Sequence, residues 1–278
     1  MSEVLYRKWR PNHLTDVVGQ EHVTRILQAA ISTGRIAHAY LLCGPRGTGK
    51  TSTARILARA LNCADPIDGD PDNACNACIA IDEGRALDLI EIDAASNRGI
   101  EDIRALSDRI RFAPNEFRYI VYIVDEVHML TEPAFNALLK TLEEPPGHAI
   151  FVLATTEIHK VPPTIISRCQ RYDFRRVSME AMLGRLSRLC ETENIETSED
   201  VLAILSRAAT GSLRDAENLL EQALVSYGTP INADQVREML GLSDDEQALK
   251  LAECVVTKSV ADGLEIIGAA SADGADLR

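Results

Sequence analysis

The sequence predicts an α/β fold: a parallel five-stranded sheet built around a phosphate-binding loop, then a small all-α domain, then the start of a further helical domain. Three observations carry that prediction. Gly44-Pro45-Arg46-Gly47-Thr48-Gly49-Lys50-Thr51 fits G-x-x-x-x-G-K-[ST] without a mismatch, between a buried apolar strand, Ala39–Cys43, and a helical pattern over residues 51–62. Strand-like and helical segments then alternate to about residue 176, as parallel strands covered on both faces require. From residue 177 onward only helical patterns remain.

At 278 residues the chain is long for one ordinary domain, and the pattern divides it into 1–176, 177–241 and 242–278. With 46% hydrophobic and 26% charged residues the composition is globular, and with 4% aromatics the cores must rest on Leu, Ile, Val and Ala. A net charge of −13 argues against a surface given over to nucleic acid, while leaving room for a local basic stripe. No apolar run approaches a membrane span, and Met1-Ser2-Glu3-Val4 does not open a signal peptide, so a cytoplasmic protein without membrane contact is expected. Seven cysteines, unevenly spread, point in that compartment to metal binding or buried thiols.

Along the chain, residues 5–11 form a basic and aromatic strap that holds the only Trp, Trp9, and is expected to dock. Residues 20–33 read as an amphipathic helix with Val23, Ile26, Leu27, Ala30 and Ile31 inward and Gly34 past its end. Residues 64–74 are rich in Asp, Pro and Gly and read as irregular. Strands are expected over 87–92, 119–124, 149–155 and 171–174, and helices over 100–111 and 132–143 and before Arg168. Four helices follow, over 179–193, 198–210, 212–226 and 233–240, and a helix pair from Asp244 with Leu251, Val255, Leu264 and Ile267 apolar. The chain is expected to stop inside this third domain, at Leu277-Arg278.

The loop glycines let several backbone N–H groups curl around one anion, and the following helix adds its positive N-terminus. Lys50 would reach the β- and γ-phosphates and the Thr51 hydroxyl would ligand Mg²⁺, so a nucleoside triphosphate is the expected ligand. Asp125 and Glu126 end the third strand; the first can hold Mg²⁺ and the second can orient and deprotonate a water. Thr155 and Thr156 end the fourth strand, where a hydroxyl can position that water or sense the γ-phosphate. Arg168, in Ser167-Arg168-Cys169, is read as an arginine presented to a neighbouring subunit's nucleotide. In Gly211-Ser212-Leu213-Arg214-Asp215, Ser212 is an expected N-cap. Arg214 in the first helical turn opposes the helix dipole, which a nearby triphosphate would reverse.

Several strings are similar to the gamma/tau subunits of bacterial DNA polymerase III: Arg7-Lys8-Trp9-Arg10-Pro11, Val17-Val18-Gly19-Gln20-Glu21-His22, Asp88-Leu89-Ile90-Glu91-Ile92-Asp93-Ala94-Ala95-Ser96, Asp125-Glu126-Val127-His128-Met129-Leu130 and the stretch from Phe135 to Pro146. The resemblance implies an AAA+ module with a helical lid and a truncated helical collar. It implies a motor subunit that uses ATP and Mg²⁺ to open a ring-shaped sliding clamp and place it on primed DNA. Asp125 and Glu126 match the Walker B pair, Thr156 the first sensor, Arg168 the arginine finger acting in trans, and Arg214 the second sensor. Other clamp-loader subunits are the implied partners, in a hetero-oligomer that is pentameric for the full-length protein, with this chain alone expected as a monomer.

The family carries a small zinc module, here an insertion over about 63–80, with four cysteines. Cys63, Cys75 and Cys78 match three of them, and Asp72 stands in the fourth place. Three thiolates and a carboxylate are an acceptable tetrahedral set for Zn²⁺. Cys43, Cys169, Cys190 and Cys254 are expected as buried thiols. Arg98 and Lys140 are candidate contacts to DNA phosphates, reading backbone and not sequence. Two alternatives stand beside the motor: a non-hydrolysing scaffold subunit, and a helicase or branch-migration motor suggested by Asp125-Glu126-Val127-His128.

Overall fold

The strands that read as continuous apolar runs do so because both of their faces are covered. The computed structural model describes residues 4–110, 112–242 and 245–272. In chain order its first part holds α1 (Leu5–Lys8), α2 (Glu21–Ser32), β1 (Ala39–Cys43), α3 (Lys50–Asn62), α4 (Asn76–Asp82), β2 (Leu89–Asp93) and α5 (Ile100–Arg109). Then come β3 (Ile120–Asp125), α6 (Glu132–Glu143), β4 (Ala149–Thr155), α7 (Pro163–Ile166) and β5 (Gln170–Asp173). The five strands make one parallel sheet in the order β2-β3-β4-β1-β5.

Side chains alternate across each strand. Tyr40 and Leu42 of β1 join a core with Val23 and Leu27 of α2 and Leu57 and Leu61 of α3. Leu41 and Cys43 join the opposite core, with Ile103 and Leu106 of α5 and Phe135, Leu138 and Leu142 of α6. β4 lies between β1 and β3, with Cys43 opposite Thr155 and Val124 opposite Leu153. The C-terminal ends of β1, β4 and β3 therefore stand side by side, and the chemistry-bearing residues follow all three.

A second, all-helical body follows: α8 (Met179–Glu193), α9 (Glu199–Ala208), α10 (Leu213–Tyr227) and α11 (Ala233–Met239). Leu186, Leu189, Leu205, Leu220 and Val236 lie in its core. Ser178 caps α8 by accepting from Ala181 N (3.3 Å); Ser212 caps α10 by accepting from Asp215 N (3.3 Å), as the sequence predicts. The strap packs on this body, with Leu5 in its core and Trp9 against it. Trp9 Nε1 donates to Glu193 (2.8 Å), and the Arg185 guanidinium lies 5.3 Å from the Trp9 ring centre. Finally α12 (Asp245–Thr257) packs on α13 (Val260–Ala272).

Some expectations need correcting. Ile26 is 53% exposed, and Thr24 takes an inward place beside Val23 and Leu27. Leu87 is 72% exposed, because the second strand starts at Leu89. The segment read as irregular leads into α4, a helix that seven residues are too few to announce by periodicity. Cys43 and Cys190 are buried as expected, but Cys169 and Cys254 are only half-buried. Val255 and Leu264 are exposed on the last helix pair. The expected positions at Arg111, Asp244, Leu277 and Arg278 lie outside the described residues.

Candidate nucleotide-binding site and metal centre

The phosphate loop is built from glycine geometry. Gly44, Gly47 and Gly49 have φ of 147°, 72° and 97°, values that side chains rarely tolerate. Gly49 then opens α3, and its carbonyl accepts the first helical bond, from Thr53 N (2.8 Å). A Cβ at Gly47 would run into Ser212 Oγ, and Gly47 O accepts from Leu213 N (3.0 Å). The start of α10 is thus docked directly on the loop.

Around the loop lies a cleft whose lining includes Arg46, Thr48, Lys50 and Thr51 of the loop and Asp125 and Glu126 after β3. Its other walls are Tyr6, Trp9, Arg10, Val17 and Val18 from the N-terminal region, and Arg185, Arg214 and Glu217 from the helical body. Lys50 is 5% exposed, and its ammonium donates to the carbonyls of Gly44 and Pro45 (both 2.8 Å). Burial lowers its pKa, opposed by the charges of Glu126 and Asp125. Thr48 is buried and donates to Pro45 O (2.8 Å). Thr51 Oγ1 donates to Asp125 Oδ2 at 2.7 Å, which brings together two hard oxygens of the kind Mg²⁺ prefers.

Glu126 sits at φ 48°, a left-handed turn immediately after β3. Its Oε2 accepts from Thr156 Oγ1 (2.9 Å) and Thr156 N (3.2 Å). Thr155, the other hydroxyl at that strand end, is fully buried and pairs with His128 Nδ1 at 3.0 Å. Of the two threonines, Thr156 is thus the one that touches Glu126. Arg214 lies with its guanidinium 4.8 Å from the Tyr6 ring centre. Arg168 does not line the cleft; it donates to Glu143 Oε1 (2.6 Å) and to Thr164 O (2.8 Å).

Beyond the docking that the sequence predicts, the strap lines the cleft with Tyr6, Trp9 and Arg10. The strap's aromatic and basic residues were the available signal, because such a segment gains most where it covers a polar cleft. Arg185 and Glu217 carry no sequence signal of their pairing, since they stand 32 positions apart on different helices. Arg185 Nε meets Glu217 Oε1 at 3.3 Å, and burial still pushes the Glu217 carboxyl up to about 7.

A second cluster lies in the insertion after α3. Cys63, Asp72, Cys75 and Cys78 each place one donor atom within 4.8 Å of all the others. That spacing suits one tetrahedral ion, and three thiols with one carboxylate are a donor set zinc accepts. Asp72 Oδ1 accepts from Ala74 N and Cys75 N (both 3.1 Å), which holds its carboxyl well below the usual range. The module is tied to α2 and to the segment between the strap and α2: Asp70 accepts from Gln28 Nε2 (2.9 Å) and from Leu14 N (2.5 Å), and Asn73 Nδ2 donates to Asn12 O (3.3 Å).

Arg98 and Lys140 are both exposed. Arg98 O accepts from Thr131 N, which ties the start of α5 to the start of α6. Lys140 lines a groove between those helices with Ile100, Arg104 and Asn136.

A family model described as DNA polymerase III, delta subunit, matches residues 19–178. The model of the DNA polymerase III clamp loader subunit, ATPase lid domain, matches 182–229, and that of subunits gamma and tau domain III matches 231–278. DNA polymerase III subunit tau of Bacillus subtilis (strain 168) is 49% identical over 99% of this chain, and that of Escherichia coli (strain K12) is 48% identical over 98%. The chain belongs to the DNA polymerase III tau/gamma family of clamp-loader AAA+ ATPases. It spans 49% and 42% of the length of those two relatives. Among solved structures, the Thermotoga maritima RuvB Holliday junction branch migration motor superposes with a TM-score of 0.60. That match covers 96% of this chain and 86% of RuvB at 20% identity, a likeness of fold. Among the described residues no helix of this clamp-loader chain is long and apolar enough to cross a membrane.

Proposed function

We propose that this clamp-loader chain is the ATP-hydrolysing motor that opens a sliding clamp and loads it onto primed DNA in the bacterial cytoplasm. The observation that carries the reading is the 2.7 Å contact of Thr51 with Asp125, beside a buried Lys50 and a Glu126 held by Thr156. A scaffold subunit has no need to keep all four groups in place. The phosphate-loop N–H groups and Lys50 bind the β- and γ-phosphates; Thr51 and Asp125 hold Mg²⁺, which neutralises charge on the transferred phosphoryl group. Glu126 orients and deprotonates the attacking water, and Thr156 sets its direction. Arg214 reads the γ-phosphate from the lid. Arg168, outside its own cleft, completes the site of a neighbouring subunit in a hetero-oligomeric, pentameric assembly.

ATP favours the clamp-opening arrangement and hydrolysis releases clamp and DNA, a population shift driven by differential affinity. Arg98 and Lys140, exposed at the α5–α6 edge, meet DNA phosphates without reading sequence. Cys63, Cys75, Cys78 and Asp72 hold a structural zinc; metal analysis of the purified chain should find zinc that Cys75→Ser removes, and a metal-free wild type would end that assignment. The deciding experiment for the motor is ATP turnover, alone and with partner subunits, clamp and primed DNA. Low basal turnover with strong stimulation by the complete mixture is expected. High turnover indifferent to clamp and primer would refute the reading.

A further inference from the structure

We propose that His128 is a positioning residue for ATP hydrolysis, fixing the Glu126 carboxylate in the orientation that faces the attacking water. The proposal rests on the reading of Glu126 as the base. His128 sits in the short helical turn Val127–Met129, two residues beyond Glu126, with a side chain only 5% exposed. Its Nδ1 lies 3.0 Å from Thr155 Oγ1 and 3.3 Å from Glu126 Oε2, and its Nε2 lies 3.4 Å from Glu157 Oε1. Both faces of the ring's polar edge are therefore engaged, and rotating the ring would break contacts on each side. Glu157 is itself held by Lys160, whose ammonium lies 2.7 Å from its other oxygen.

The alternative is a core histidine that merely satisfies Thr155. Thr155 Oγ1 already accepts from Glu157 N (3.0 Å), so β4 is anchored there without the ring. What sets His128 apart is its third neighbour. The last torsion of a Glu side chain is soft and nearly two-fold, so a single hydrogen bond leaves the carboxylate free to swing. Here Thr156 N, Thr156 Oγ1 and His128 Nδ1 all converge on Oε2. The ring's hydrogen bond is with Thr155 Oγ1, and its Nδ1 stands 3.3 Å from Oε2 as a close polar neighbour. Among the described residues no hydrogen bond reaches Oε1, which is the oxygen left to face water. The two Thr156 contacts come from the end of β4, and the ring, on the turn after β3, is a neighbour from a second segment. The left-handed backbone at Glu126 is what folds its side chain back among these donors.

The test is single-turnover ATP hydrolysis, with nucleotide affinity measured in parallel, in the clamp-loader assembly containing the full-length chain. His128→Ala should slow hydrolysis about 10²-fold, the scale of a reacting group misplaced by about 1 Å, and leave affinity for ATP unchanged. His128→Asn keeps an N–H where Nδ1 stands and should recover most of the rate. In a Glu126→Gln background, His128→Ala should add no further loss, because the two residues act as one unit. Parent-like hydrolysis by His128→Ala would overturn the proposal, as would an undiminished loss in the Glu126→Gln background. Should His128→Ala unfold, His128→Asn decides: a folded but slow variant with no rescue equally rejects it. Rapid turnover by Glu126→Gln alone would instead remove the base assignment, and an inactive Glu126→Gln beside a fully active His128→Ala would reject this proposal only.

Discussion

Arg214 and Arg168 occupy opposite positions relative to the phosphate loop of their own chain. Arg214 stands in the first turn of α10, and α10 is docked on the loop through Leu213 N and Ser212. Its charge opposes the helix dipole, and in the structure the Tyr6 ring is its neighbour. Arg168 follows α7, is occupied by Glu143 and Thr164, and takes no part in lining the cleft. A chain can thus line its cleft with one arginine and still present another that the cleft does not use. On the proposed reading, binding belongs to one subunit and hydrolysis to a pair.

Lys50→Ala should abolish both nucleotide binding and turnover, because it removes the buried cation of the cleft; binding retained at parent affinity would move the site elsewhere. Arg168→Ala should leave ATP binding by its own chain intact and slow hydrolysis in the assembly by about 10³–10⁵. A loss of binding in the isolated variant would place Arg168 with Arg214 and erase the distinction. Arg214→Ala should weaken nucleotide binding by the isolated chain about 10–100-fold, the worth of a charged hydrogen bond. Titration calorimetry on both variants side by side reads the contrast directly.

The smallest effect concerns Glu217, one turn beyond Arg214. Burial raises its carboxyl from 4.5 to about 7, so the folded protein keeps a proton that the unfolded chain has lost. Stability should therefore be greatest below pH 4.5 for this group and fall by about 1–3 kcal/mol as pH rises to 7. Glu217→Gln should flatten that part of the profile in denaturant titrations. An unchanged slope would mean that Arg185 keeps the carboxylate charged throughout, and that the lid wall of the cleft is an ion pair at every working pH.

Much of this molecule was legible in the chain. The strand–loop–helix unit around residues 44–51 reads correctly because its geometry is local: three glycines at positive φ turn the chain from β1 into α3. Strands β3 and β4 read correctly because burial on both faces leaves unbroken apolar runs. Ser212 reads correctly because an N-cap is decided by its own helix. The failures have equally physical causes. Ile26 fits a helical stripe, but the width of the face that α2 buries is set by its partners. Cys169 follows apolar residues yet stays half-buried, and burial still raises its thiol to about 12.

The sequence by itself determined the strand–loop–helix unit, the acids ending β3, the change to all-helical structure, and the resemblance that the relatives bear out. It took the tertiary structure to set Thr156 and not Thr155 against Glu126, to bring His128 and Glu157 beside them, and to make the strap a wall of the cleft. Those facts depend on sheet order and on docking between segments far apart in the chain. A pattern repeating every two or 3.6 residues encodes which face is buried, but not which distant side chain will meet it there.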